Sequence, residues 1–125
     1  GANTYTGATS LSVGTLQLSG SGTLGSNSAV TLSAGATFDL NGVSSSIGSL
    51  AGTGGSLTLG TGTLTTGGNG TSTSYAGTIS GGGGLVQAGA GTLTLSGANT
   101  FSGGATVSSG VIRDANGVAF AGLSS

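Results

Sequence analysis

The chain repeats itself on two scales, and this limits what it can fold into more than any single motif does. Gly1-Ala2-Asn3-Thr4 returns as Gly97-Ala98-Asn99-Thr100, and Gly7, Ser12 and Gly14 return at the same offset of 96 as Gly103, Ser108 and Gly110. Between these copies lie shorter Gly-bounded pieces of one design, among them SAVTL, ATFDL, SLTLG and GTLTL. A unit recurring at this scale is expected to stack on its neighbours as a solenoid. The functional question then moves from a pocket to a surface.

No segment carries a helical period. The apolar residues alternate with polar ones, as in Leu16/Leu18, Val30/Leu32, Phe38/Leu40, Leu57/Leu59 and Leu93/Leu95, which is the period that places alternate side chains on one face of a strand. Thr, which suits a pleated surface, fills many of the intervening positions. The pattern predicts strands at 8–13, 15–18, 28–33, 36–40, 46–51, 56–60, 62–66, 75–80, 84–88, 91–96, 104–108 and 110–113. Gly, Asn or Ser bound nearly all of them, residues that turn easily. Asp39, between Phe38 and Leu40, is expected to point to solvent.

Two architectures compete for these strands. Asn41-Gly42, Asn69-Gly70 and Asn116-Gly117 offer two-residue hairpin turns and would favour an antiparallel sandwich. The spacing argues instead for coils: 22 residues from Leu16/Leu18 to Phe38/Leu40, 19 from there to Leu57/Leu59, and 21 from Leu64 to Leu85. A recurrence near 20 with three short strands per cycle fits an all-β parallel β-helix of about six coils, each stacked on the next at roughly 4.8 Å. The whole of 1–125 is then one β-solenoid segment. Because the chain opens inside a repeat at Gly1, it is expected to be an excerpt of something longer.

Composition agrees with a stacked fold. Thirty of the 125 residues are Gly, and Pro, Cys, Met, Trp and His are absent. Gly and Ser in such amounts suit a linker or a disordered chain, but a linker has no reason to keep aliphatics in alternation. Only Asp39, Arg113 and Asp114 carry side-chain charge. Scarce charge is what a stack needs, since identical positions lie one above another and a like-charged ladder repels itself. With a net charge of −1, no attraction to nucleic acid or anionic lipid is expected. No apolar run approaches the length of a membrane helix.

The stretch from Gly91 to Val107, GTLTLSGANTFSGGATV, resembles the autotransporter-associated β-strand repeat of bacterial surface-protein passenger regions. Tyr75–Gly81, Gly84–Gln87, Phe38–Gly42, Ile47–Gly54 and the opening GANTYTGATS are similar to the same family, so the resemblance reaches Arg113. It implies a right-handed parallel β-helix displayed outside the cell as a stalk or adhesin scaffold. One departure stands out. The apolar-polar-apolar close Leu16-Gln17-Leu18 becomes Ile112-Arg113-Asp114, and a carboxylate facing inward at Asp114 would be costly. The coil pattern is therefore expected to shift or end near Asp114, leaving 114–125 as an irregular end or the start of another coil.

Candidate sites are few. Acid–base chemistry needs titratable groups held together, and the chain has no His and no Glu, while its Ser residues lack a base to activate them. No enzyme activity, catalytic residue, cofactor or metal site is expected. Gly81–Gly84 lacks the Lys and helix of a phosphate-binding loop and reads as a corner. Asn3 and Asn99 read as turn residues, Asn69-Gly70-Thr71 as an unmodified sequon, and Arg113-Asp114 as solvated charges. Tyr5, Tyr75 and Phe101 form either an exposed sugar-stacking stripe or, better, core or corner packing. Three roles remain open: an extracellular stalk, adhesin scaffold or fibre subunit that associates end to end or continues in a longer chain; a module binding polysaccharide or ice, or touching a host surface, through outward Thr15, Thr31, Thr37, Thr58 and Thr94; and an amyloid-like fibre monomer.

Overall fold

A computed structural model of the chain describes residues 7–18, 28–97 and 100–114. Among the described residues, fourteen short strands carry the fold: β1 (Thr9–Leu11), β2 (Gly14–Gln17), β3 (Ala29–Leu32), β4 (Ala36–Asp39), β5 (Ser45–Ser46), β6 (Ser49–Gly52), β7 (Ser56–Thr58), β8 (Leu64–Thr66), β9 (Thr73–Tyr75), β10 (Thr78–Ser80), β11 (Leu85–Gln87), β12 (Thr92–Leu95), β13 (Ala105–Val107) and β14 (Val111–Asp114). They form three parallel sheets. The first face stacks β1-β3-β6-β9-β12-β14, the second β2-β4-β7-β10, and the third β5-β8-β11-β13. From β3 to β12 the strands visit the faces in turn, and the result is a β-solenoid of about five turns.

The spacing read from the sequence is the spacing of the ladder. Leu16 pairs with Phe38 and Phe38 with Leu57 on the second face, and Leu64 with Leu85 on the third. Inward columns follow from these pairings. Leu16, Phe38, Leu57 and Ile79 form one, and the last three are fully buried. Removing each such side chain from water contributes about 1.5–3 kcal/mol. Between strands, main-chain bonds continue the stack: Leu40 N donates to Thr58 O at 2.9 Å and Leu59 N to Ser80 O at 2.8 Å.

The turns that suggested hairpins are corners. Asn41 and Gly42 have φ of 52° and 79°, and Val43 N donates to Leu40 O at 2.8 Å, the closed geometry of a primed turn. Its flanking strands, β4 and β5, nevertheless belong to different faces. Gly70 N likewise closes on Gly67 O at 2.9 Å between β8 and β9. Asn116-Gly117 lies outside the described residues.

Two expectations need correction. The predicted strands 46–51 and 75–80 each divide into two, β5 with β6 and β9 with β10. Tyr75 and Ile79 both point inward, so there the alternation runs through the bend without a break, whereas Ile47 and Leu50, three residues apart, are both buried and the alternation slips by one residue at Gly48. Gly48 and Gly77 mark where the chain turns; at Gly77 any Cβ would meet the Gly54 and Gly55 carbonyl oxygens and the Tyr75 hydroxyl. β14 stays paired with β12 through Leu95 opposite Asp114, the last described residue. Main-chain hydrogen bonds hold a strand in register whatever its side chains are. Of the expected irregular end or start of another coil, 114–125, all but Asp114 lies outside the described residues.

The long repeat also acquires a phase. β1 and β13 correspond at the offset of 96, yet β1 lies on the first face and β13 on the third; β2 and β14 lie on the second and the first. The echo therefore spans four turns and two further faces. Each copy specifies a strand, a corner and a strand, and the number of strands between copies decides the face they occupy.

Tyr75 fills the core on the first face, where its inward neighbour in register is Gly52. Its hydroxyl donates to Thr78 O at 3.4 Å. Burial raises the phenol from its ordinary 10.0 to about 12. Between those values the folded chain keeps a proton that the unfolded chain releases, so stability is unaffected below about 10 and falls as pH rises toward 12. In a Tyr5→Phe variant, phenolate absorbance should rise only as the fold is lost. A midpoint near 10 with the fold intact would show Tyr75 to be solvated.

Candidate functional surface

The outward side chains of the second face line up by the same pairings that build the core. Thr15, Thr37, Ser56 and Thr78 form one column, and Gln17, Asp39, Thr58 and Ser80 form the next. Neighbours within a column are about 4.8 Å apart and the two columns about 7 Å apart, from strand spacing and rise. The first column is entirely hydroxyl. In the second, Asp39 is held on three sides: Gln17 Nε2 donates to Oδ2 at 2.8 Å, while Asn41 N and Thr58 Oγ1 donate to Oδ1 at 2.8 and 2.9 Å.

These bonds, that from Gln17 foremost, hold the Asp39 carboxyl below its ordinary value of 3.8, with slight burial opposing them. The carboxylate's contribution is present at neutral pH and is lost as pH falls through its depressed pKa. Asp39 points outward as expected, and Phe38 and Leu40 beside it are buried. Its partners were not legible in the sequence, because Gln17 and Thr58 lie on the coils before and after, 22 and 19 residues away.

The other Thr residues singled out by the sequence separate by face. Thr15, Thr37 and Thr58 share the second face, whereas Thr31 and Thr94 lie on the first. There Thr31 pairs with Ser10 and Ala51, and Thr94 with Ser74 and Arg113. The first face thus carries a mixed column.

Tyr75 and Phe101 are buried, which places both in the core; Tyr5, Asn3 and Asn99 lie outside the described residues. Gly81–Gly84 is a corner. Gly82 N and Gly83 N both donate to Gly60 O, at 2.7 and 2.8 Å, so these amides are already engaged by the neighbouring coil. Asn69 is held at its corner: Thr71 N and Oγ1 donate to Oδ1 at 3.1 and 2.6 Å, and Nδ2 donates to Ser49 Oγ at 3.2 Å. Arg113 is exposed. No group of three or more His, Cys, Asp or Glu comes together among the described residues.

The polar residues that sequence reasoning missed are inside. Gln87 occupies an inward position on the third face, opposite Thr66 and Val107, and is almost fully buried with Nε2 donating to Gly91 O at 3.1 Å. The hydroxyls of Ser45 and Thr66 are buried on the same face with no protein partner. The alternation of Leu85-Val86-Gln87 was the available signal, since it puts Gln87 in step with Leu85.

Residues 1–18 and 85–113 match the family model described as the passenger-associated-transport-repeat. The match bears out the resemblance drawn from the GANT copies, and its last residue is Arg113. No curated protein and no solved structure matches the chain.

Proposed function

We propose that this chain, whose opening and closing repeats match the passenger-associated-transport-repeat, is an extracellular structural segment of a bacterial surface protein, working as a stalk or adhesin scaffold through the length and surface of its stack. The observation that carries this is the register. Among the described residues, apolar side chains fill most inward positions from β3 to β12, with Ser45, Thr66 and Gln87 as polar exceptions on the third face, hydroxyls dominate the outward columns, and main-chain bonds join each coil to the next. Such a stack extends by adding coils, because its hydrogen bonds make no demand on side-chain identity. Antibody against this segment should label intact cells that make the parent chain, and external protease should remove the label. Labelling that requires lysis would overturn the surface assignment.

The all-hydroxyl column of Thr15, Thr37, Ser56 and Thr78 supports a second reading, in which the second face lies against an ordered polysaccharide or ice. Retention on a glycan array or thermal hysteresis would favour it. The absence of both removes it and leaves the scaffold.

A further inference from the structure

We propose that Asn41-Gly42 is a self-modifying site whose side-chain amide converts to aspartate and isoaspartate in the folded chain, while Asn69-Gly70, the same dipeptide at another corner, is held in its amide form. The chemistry needs no catalyst. The Gly42 backbone nitrogen loses its proton and attacks Asn41 Cγ; a C–N bond forms, the Cγ–Nδ2 bond breaks, and the amide leaves as ammonia. Water then adds to one of the two carbonyls of the resulting five-membered imide. Opening on one side gives aspartate, and opening on the other gives isoaspartate. The reaction requires a following residue without a Cβ in the way, a side chain free to rotate, and a backbone nitrogen not held by a hydrogen bond.

The two sites differ in the last two conditions. The Asn41 side chain is exposed and makes no hydrogen bond among the described residues; only its backbone N is held, by Asp39 Oδ1 at 2.8 Å. Gly42 is exposed as well, and its nitrogen is absent from the main-chain bonding that closes the corner around it from Val43 to Leu40. At the other corner every group is engaged. Asn69 Oδ1 accepts two hydrogen bonds from Thr71, Nδ2 donates to Ser49, and Gly70 N donates to Gly67 O at 2.9 Å. Several bonds must open together before Asn69 can react, and this slows it by at least about tenfold relative to Asn41.

The product has a definite place in the fold. It adds a negative charge two residues from Asp39 at the edge of the second face, in a chain whose net charge is only −1. Isoaspartate also inserts a methylene into the main chain of a tight turn that another coil packs against. Gly60 sits against Gly42, close enough that a Cβ on Gly60 would lie 2.8 Å from Gly42 N. Conversion is therefore expected to loosen the corner between β4 and β5.

The test is to incubate the folded chain in mildly alkaline buffer and map peptides by mass spectrometry, with fragmentation that separates isoaspartate from aspartate. Asn41 is expected to convert at least about tenfold faster than Asn69, and the two are expected to converge when the chain is unfolded in urea. The double variant Ser49→Ala, Thr71→Val should raise the Asn69 rate toward that of Asn41. Equal rates in the folded chain, or an Asn41 that converts only on unfolding, would overturn the proposal.

Discussion

Replacing Gly83 by alanine is expected to cost the solenoid at least about 3 kcal/mol, the upper range of overpacking effects. Gly83 sits at a corner where two coils come close, and a Cβ there would overlap the Gly62 carbonyl oxygen with the rest of that peptide behind it. Both obstacles are backbone, so no side-chain rotation relieves them. Gly103 stands in the same relation to Gly83, and Gly89 to Gly67. The glycines thus form ladders of their own, in which each lets the next coil approach to hydrogen-bonding distance; Gly103 N reaches Gly83 O at 2.9 Å. In a stack whose coils touch only their neighbours, a defect at Gly83 separates the two ends. Hydrogen exchange should then show protection lost along the two pairings that cross the defect, β7 with β10 and β8 with β11. Gly7, where a Cβ would meet nothing within 4 Å, is the control: Gly7→Ala should leave the melting temperature unchanged.

Phe38→Ala is expected to be equally severe for a different reason. Phe38 is completely buried between Leu16 and Leu57 in the inward column of the second face. Truncation removes its transfer energy and leaves a void that Leu57 cannot fill without leaving its own place in the ladder. Such changes cost about 3–5 kcal/mol, a large share of the 5–15 kcal/mol that holds a typical domain together. Thr37→Ala, one residue away and facing out of the stack in the hydroxyl column, should fall within about 0.5 kcal/mol of the parent. Chemical denaturation of the two variants side by side measures the difference between inside and outside directly. Equal effects would mean that the strand does not present its faces as described.

Much of this was written in the sequence. Alternation told which residues face in, so Phe38, Leu40, Leu57, Leu59, Leu93 and Leu95 were identified as core and are buried. The intervals of 22, 19 and 21 gave the pairing partners of Leu16, Phe38 and Leu64. The corners were harder to find. Where the chain turns at Gly48 and Gly77, inward side chains from two faces follow one another as though they belonged to one strand. The glycines showed where turning is easy, but not that carbonyls of the next coil press against them.

The surface was less legible than the core. Coil length varies by a few residues, so the partner of an outward residue depends on the register of two other coils. Asp39 could be placed outside, but its bonds to Gln17 and Thr58 could not be foreseen. The phase of the long repeat was hidden for the same reason. Ninety-six residues is not a whole number of turns, and the corresponding strands Thr9–Leu11 and Ala105–Val107 stand on different faces.

The central claim is that neighbours in space are coils apart in sequence and run parallel. Nuclear Overhauser contacts from the backbone of Leu57 test it most directly. The solenoid predicts contacts to Phe38 on one side and Ile79 on the other, with none across a hairpin. Contacts linking Phe38 to the residues just beyond Asn41-Gly42 in antiparallel order would contradict it.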